Sequence, residues 1–303
     1  MSLVINHNLM AMNAARNLGE SYGRLSTSTR RLSSGLRVGT AADDAAGLAI
    51  RELMRADIAT MQQGIRNAND AISLIQTADG ALQVIDEKLI RLKELAEQAA
   101  TGTYNSDQRV LIDSEFQAMM SEITRIANAT DFNGVKLLDG NLSGDPTLHP
   151  GATHNGDGVV STGPLKIHFG TGNDSAEDYY FINIGAATAS ALGFWNPLTG
   201  ANYRIDTQSL AQNMLSVINL AIISKDTIRG QLGALQNRLQ NTITNLSIQA
   251  ENLQASESRI SDVDVATEMT EFVRNQILTQ GAVAMLAQAN SLPRLAMQLI
   301  GGG

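Results

Sequence analysis

Residues 231–260 read QLGALQNRLQNTITNLSIQAENLQASESRI, and within them Leu232, Leu239, Leu246, Leu253 and Ile260 fall seven apart without a gap. A seven-residue repeat keeps one edge of an α-helix apolar over many turns, and Leu235, Ile243 and Ala250 widen that edge, so the stretch predicts a coiled-coil helix. Upstream, Leu210, Met214, Val217, Ala221 and Ile228 continue the period and carry the rod back to about residue 208. A helix with one apolar edge needs a partner of similar length to cover it. The first half of the chain supplies one. Ile58, Met61, Ile65, Ala68, Ile72, Ile75, Ala78, Leu82, Ile85, Leu89, Leu92, Ala96 and Ala99 recur in steps of three and four. At roughly 1.5 Å per residue this pattern runs about 60 Å, longer than a compact domain uses. A single extra three-step between Ile72 and Ala78 is a stammer, expected to alter the supercoil near Asp79 and Gly80.

Shorter elements fill the space between these rods. TGTYNSD at 101–107 is turn-like, and Val110, Ile112, Phe116, Met119, Ile123 and Ile126 predict a helix over 106–129. Asn133-Gly134 is the dipeptide of a tight hairpin. From about residue 139 to 202 the character changes: prolines and glycines gather, the only tryptophan lies here, and GPLKIHFGTG and DYYFINIG read as short alternating strands. Both ends return to helical period. Leu9, Met12, Leu18, Tyr22, Leu25 and Leu32 mark one helix, ended by Ser33-Ser34-Gly35, after which Asp43 and Asp44 offer capping carboxylates to the rod. Met269, Val273, Ile277, Ala284, Ala287 and Leu295 mark the other, after a break at Ser261 and Asp262; Pro293 is expected to end or bend it, and Gly301–Gly303 to fray.

The fold this predicts is mainly α with a small β-rich insert. Long antiparallel coiled-coil rods bring the N- and C-termini together at one end, with the insert toward the other. Its expected parts are a terminal helix and spoke at 1–42, the first rod part at 43–138, an outward-facing β-rich insert at 139–202, the second rod part at 203–262 and a last helix at 263–303. Once the rods pair, the apolar faces of residues 5–32 and 269–295 have no evident cover. Burial is worth about 0.8 kcal/mol per methylene, so those faces are expected to pair with each other and with other copies of the chain.

Composition narrows the function. The chain has 303 residues, a formal net charge of −8 and only 4% aromatics, which disfavours nucleic-acid backbones, stacking platforms and anionic lipid. With no cysteine there is no thiolate nucleophile, zinc ribbon or disulfide framework. MSLVINHNLMAMN lacks the basic and apolar regions of a secretory signal, and no run of eighteen apolar residues predicts membrane insertion.

Six blocks closely resemble bacterial flagellins: SSGLRVGTAADDAAGLAI at 33–50, ALQVIDEKLIRLKELAEQAATGTYN at 81–105, DFNGVKLLDG at 131–140, GQLGALQNRLQNTITNL at 230–246, SRISDVDVATEM at 258–269 and QGAVAMLAQAN at 280–290. The resemblance implies a structural subunit that polymerises into a helical flagellar filament for swimming, with terminal helices forming an inner tube, rods around it and the insert outermost. It also implies an extracellular product exported without a cleaved signal, and partners in an export chaperone, a filament cap protein and hook-filament junction proteins. The positions matching the family's innate-receptor determinant are Arg91, Leu95 and Glu115. On the residues alone, Leu95 sits one residue off the apolar stripe, and the two charges read as bridges between helices or subunits, with binding of a host innate immune receptor compatible with that. The C-terminal SLPRLAMQLIGGG departs from the family's usual ending by adding Arg294 and three glycines.

No catalytic constellation stands out, and no cofactor or metal is expected. HExxH is absent, and His149, His154 and His168 lack a helix to converge them. Asp262, Asp264 and Glu268 read as helix N-terminal carboxylates. Ser161, Thr162, Thr171 and Ser175 lie on expected outward loops, open to O-linked sugars. Two other readings are a hook-filament junction protein, which resembles this pattern weakly at both ends, and a filament subunit with an added carbohydrate-binding role on a platform of Tyr179, Tyr180 and Trp195. A receptor-type coiled coil would need a membrane anchor that the sequence does not show.

Overall fold

The computed structural model describes residues 8–143, 163–175, 177–196 and 201–301. Five long helices dominate: α1 (Leu9–Ser34), α2 (Ala45–Ala100), α3 (Ser106–Ala129), α4 (Gln208–Ser261) and α5 (Val265–Gly301). Three two-stranded antiparallel hairpins lie between α3 and α4: β1 (Asp131–Phe132) with β2 (Val135–Lys136), β3 (Leu165–His168) with β4 (Tyr179–Ile182), and β5 (Trp195–Asn196) with β6 (Ala201–Asn202). Packing divides the chain into two compact units, residues 1–58 with 251–303 and residues 59–250.

The unit of residues 59–250 has one apolar core. On α2, Ala68, Ala71, Ile75, Ala78, Leu82, Ile85, Leu89, Leu92, Ala96 and Ala99 are buried, and on α4 Ala211, Met214, Ile218, Ala221, Ile228, Leu232 and Leu239 face them. The steps of three and four on both helices are what a two-helix seam requires. Across that seam Asp86 meets Lys225 at 2.5 Å and Asp79 meets Arg229 at 2.7 Å, so residue numbers fall on one helix as they rise on the other and the pair is antiparallel. The helix α3 covers the flank with Phe116, Met120, Ile123 and Ala127. An Asn105 capping box starts it: the Asn105 side chain accepts from the Gln108 N–H, while the Gln108 side chain accepts from the Asn105 N–H.

Leu95, expected just off the stripe, is 1% exposed and inside this core. The apolar face of α2 is wider than one partner needs because α3 and α4 both pack on it.

The insert is joined to the same core. Ile182, Ile184, Leu192 and Phe194 are buried with α2, α3 and α4, so the described part of the segment expected to face outward packs its inner side onto the rods. Two close approaches hold it there. The Asn67 amide donates to the His168 carbonyl at 2.8 Å, and Gly64 passes so near the Phe169 carbonyl that no side chain fits between them. The first hairpin turns through Asn133 (φ 51°) and Gly134 (φ 81°), the left-handed pair that an Asn-Gly turn uses. Asp113, only 2% exposed, accepts from the Ile205 N–H at 2.9 Å and from Arg204 Nε at 3.2 Å, tying α3 to the segment that enters α4.

In the unit of residues 1–58 and 251–303, α1 packs on α5. Asn8 Nδ2 donates to the Ala289 carbonyl at 2.7 Å and Arg31 approaches Glu268 at 3.5 Å, which makes this pair antiparallel too. Both chain breaks lie side by side here. The Arg37 N–H donates to the Ser261 carbonyl and the Val263 N–H to the Gly35 carbonyl, forming one antiparallel bridge between Leu36 and Asp262. Arg37 Nη2 reaches the Ile260 carbonyl at 2.6 Å, and the buried Arg51 reaches the Val38 carbonyl at 2.7 Å.

Pro293 does not end α5, which runs to Gly301. A proline inside a helix leaves the carbonyl four residues back without its donor. That carbonyl belongs to Ala289, and the Asn8 amide supplies the missing hydrogen bond from α1. Of the three glycines expected to fray, Gly301 is the last residue of the helix, and Gly302 and Gly303 lie outside the described residues.

Two glycines of α2 make a matched test of the insert contact. Gly80 has nothing within 4 Å of where a Cβ would stand, whereas a Cβ at Gly64 would overlap the Phe169 backbone. Gly80→Ala is expected to stabilise the monomer by about 0.5–1 kcal/mol through helix propensity, and Gly64→Ala to destabilise it by about 1–3 kcal/mol through overpacking, both read by urea denaturation. The Asp79–Arg229 pair gives a pH signature. The hydrogen bond from Arg229 holds the Asp79 carboxyl below its ordinary value. Its stabilisation is therefore present above the unfolded pKa of about 3.9 and is lost as pH falls through the depressed folded value. The melting-temperature gap between the wild-type chain and Asp79→Asn should be widest near neutrality and close under acid.

Candidate assembly surface

The α1–α5 pair is where sequence pattern and packing diverge most usefully. On α1 the seam runs through Ala11, Ala14, Leu18, Ser21, Leu25, Ser28 and Leu32, with Thr27 and Arg31 also half-buried; on α5 it runs through Phe272, Asn275, Thr279, Ala282, Leu286 and Ala289, with Glu268, Glu271, Ser291 and Pro293 also half-buried. The steps are again three and four, but this seam is narrow and largely small or polar. The fully buried side chains described on the two helices are Ser28, Asn275, Thr279 and Ala289, none of them a large apolar group. Thr279 satisfies itself by donating to the Asn275 carbonyl of its own helix at 2.7 Å.

Large apolar groups point the other way. On α5, Val265, Met269, Val273 and Ile277 follow one another every fourth residue with exposures of 59, 44, 45 and 62%, and Leu278, Val283 and Met285 extend the uncovered surface. On α1, Leu9, Met10, Met12 and Tyr22 are exposed. Sequence reading placed Met269, Val273 and Ile277 on a face needing cover, and in one copy that face has none. It missed the inward seam of Phe272, Asn275 and Thr279, because two of those three residues are polar and carry no apolar period.

Other sites expected from sequence lie as follows. Arg91 donates through Nε and Nη2 to Glu115 Oε1 at 2.9 and 2.7 Å, bridging α2 to α3, and through Nη1 to Glu94 at 3.0 Å. Both ends of the Arg91–Glu115 pair are nearly half exposed, so water screens it and it adds little stability. Leu95 beneath them faces the core. Of the heptad leucines, Leu232, Leu239 and Leu246 are buried in the larger unit, while Leu253 and Ile260 are half-buried in the unit that holds α1 and α5.

Tyr179 and Tyr180 do not form a platform. As neighbours on β4 they face opposite sides of the hairpin. Lys166 Nζ lies 3.6 Å from the centre of the Tyr179 ring, and the Arg238 guanidinium lies 3.6 Å from that of Tyr180. Trp195 is on another hairpin and 47% exposed. His168 stacks on Tyr179 at 6.1 Å; His149 and His154, like Ser161 and Thr162, lie outside the described residues. Thr171 and Ser175 are exposed. Among the described residues no group of His, Asp or Glu is placed to hold a metal ion, and no helix is long and apolar enough to cross a membrane.

Asp264 starts α5. Its Oδ1 accepts from the Ala266 N–H at 3.0 Å and its Oδ2 from the Thr267 hydroxyl at 2.8 Å, and the bonds from Thr267 lower its pKa. Asp262 accepts from the Ser258 and Ser261 hydroxyls at 2.7 and 2.9 Å. At the other spoke, Asp44 caps α2 by accepting from the Gly47 N–H at 2.9 Å, whereas Asp43 turns back to Thr40 and Arg30.

Comparison with known proteins places the whole pattern. Residues 5–143 match the bacterial flagellin N-terminal helical region and residues 215–300 the bacterial flagellin C-terminal helical region. The chain is 39% identical to the flagellar filament 33 kDa core protein of Treponema phagedenis over 98% of its own length and 100% of that protein's. It is 41% identical to a flagellin of Halalkalibacterium halodurans, covering 98% of this chain and 100% of that one. It is likewise 41% identical to a flagellin of Bacillus subtilis, covering 98% and 99%. An order of blocks preserved from end to end, on a helical frame whose terminal pair turns its apolar side outward, assigns the chain: it belongs to the bacterial flagellin family.

Proposed function

We propose that the chain is the structural subunit of a bacterial flagellar filament, built by stacking copies through the exposed faces of α1 and α5. The observation that carries this reading is the row Val265, Met269, Val273 and Ile277, whose large side chains stand in water in a single copy. At about 25 cal/mol per Å² of apolar surface removed from water, covering such a row along a helix supplies several kcal/mol per contact, and polymerisation repeats that gain at every subunit. Extended resemblance to flagellins over nearly the full length supports the same reading, and it disfavours a hook-filament junction protein.

Within that filament we assign residues 1–42 and 263–303 to the inner wall, 43–138 and 203–262 to the surrounding rods, and 139–202 to the outer face. Export without a cleaved signal, under a chaperone, followed by growth beneath a cap and upon junction proteins, fits a subunit whose terminal helices are unsafe to expose in bulk. The half-exposed Arg91–Glu115 bridge supports a part for this surface in lateral subunit contact. A receptor that read this surface would meet these two side chains and not Leu95, which the core covers.

Removal of residues 1–32 and 266–303 is expected to leave a soluble, folded rod that fails to extend seeds, seen by electron microscopy. A gentler variant, Ile277→Glu, should leave the monomer's helix content and melting unchanged while raising the concentration needed for seeded growth at least tenfold. Normal elongation by either chain would contradict assembly through the terminal helices.

A further inference from the structure

We propose that a polar recess between α1 and α5 is a socket for a side-chain amide of a second copy of this chain, so that the same surface which drives assembly also fixes its register. The inference rests on the assembly reading above. The recess measures about 470 Å³ and is lined on α1 by Glu20, Arg24, Ser28 and Arg31 and on α5 by Glu271 and Asn275, among others. Three of its polar groups lack partners. Ser28 and Asn275 are each only 4% exposed, and neither side chain makes a hydrogen bond among the described residues. Arg31 Nε is buried and unbonded, although Nη1 of the same guanidinium approaches Glu268 at 3.5 Å.

Arg31 Nε is the one side-chain polar atom shut away from solvent without a partner among the described residues, and Ser28 and Asn275 stand beside it with their hydrogen-bonding atoms open onto the recess; buried polar groups in folded proteins are almost always satisfied, so the three together point to something that completes them. The seam around them shows that polarity is not imposed by packing: the neighbouring inward positions are Leu25, Leu32 and Phe272. The chemistry of the missing group follows from what the orphans need. Arg31 Nε and the Asn275 amide N–H groups need an acceptor, while Asn275 Oδ1, Ser28 Oγ and the unpaired Glu20 carboxylate take donors. A carboxamide carries both. The lining holds three carboxylates, Glu20, Glu268 and Glu271, against two guanidiniums, Arg24 and Arg31, which disfavours an anion.

A second copy is the source because apolar residues adjoin the socket along both helices. Tyr22 beside it on α1, and Met269 and Val273 beside it on α5, are 57, 44 and 45% exposed. A copy that covers those residues closes over the recess and strands its polar groups unless it brings a partner for them. A single polar position in an otherwise apolar helix contact is a known means of fixing register, since every shifted alignment leaves the polar group unpaired.

The test is seeded elongation of the full-length chain at a series of concentrations, comparing the wild-type chain with Asn275→Leu and Ser28→Ala, alongside thermal melting of each monomer. Asn275→Leu should raise the critical concentration about tenfold while the monomer melts at the same temperature or higher, because an unsatisfied amide has been removed from the free subunit. Ser28→Ala, which adds no volume, should shift the critical concentration in the same direction by a smaller factor. Growth of Asn275→Leu at or below the wild-type critical concentration would mean the recess holds only water and would overturn the socket. A rise with Asn275→Leu but none with Ser28→Ala would mean steric blockage by leucine, and would overturn it as well. Failure of the wild-type chain to elongate under the same conditions would instead contradict the assembly reading itself.

Discussion

Everything in this molecule follows from an imbalance of apolar surface. The rods close a core of their own: α2, α3 and α4 hold Ile75, Leu82, Ile85, Leu89 and Leu92 at no more than 1% exposure, and leave a few large groups such as Leu111, Leu220 and Ile223 outside it. The terminal pair has no such core. Its narrow, largely polar seam covers Leu18, Leu25, Leu32, Phe272 and Leu286 only in part, and its remaining large side chains face water. Hydrophobic burial is the main favourable term in folding and association alike, and a helix pair that cannot use it internally is left to use it between copies. A monomer with weakly sealed ends and a polymer with sealed ones are the two states this distribution favours.

Polar detail sets direction where apolar burial cannot. Lys225 occupies a core-facing step of α4, 2% exposed, with Asp86 and Asp226 on its ammonium group at 2.5 and 2.7 Å. A charge removed from water is costly unless paired, so sliding α4 by one turn along α2 would part Lys225 from Asp86 and leave it only Asp226 of its own helix. Asp79 with Arg229 makes a second such lock. The Asn8–Ala289 bond plays a similar part on the terminal pair, because it satisfies a carbonyl that exists as an orphan only where Pro293 has removed its donor. One residue of α1 is thereby matched to one turn of α5, and each pair of helices carries a polar reason for its alignment as well as an apolar reason for its formation.

Most of the helical frame was legible in the sequence, since an apolar period sustained over many turns has few alternative explanations. The bounds of α3, the Asn-Gly hairpin and the β3–β4 pair were readable from capping and turn chemistry for the same reason: those signals are local. What was not legible depends on who the neighbours are. Leu95 looked marginal against a single stripe and is buried because two helices share α2. Pro293 looked terminal because its compensation comes from Asn8, distant in sequence. Tyr179 and Tyr180 looked like one platform until strand alternation set them on opposite faces. The inward seam of Phe272, Asn275 and Thr279 was hidden by the stronger period of Met269, Val273 and Ile277, which is the face turned away from the fold. Sequence period reports that a face is apolar; whether its cover lies in the same molecule takes coordinates to decide.

The central claim is most directly tested by methionine oxidation footprinting of the same preparation before and after seeded growth. Met12, Met269 and Met285 are 65, 44 and 62% exposed in the single copy, and Met120 in the rod core is inaccessible. The account predicts rapid oxidation of Met12, Met269 and Met285 in the monomer and strong protection of all three in filaments, with Met120 protected in both. Equal oxidation of the three in monomer and filament, or protection already complete in the monomer, would contradict it.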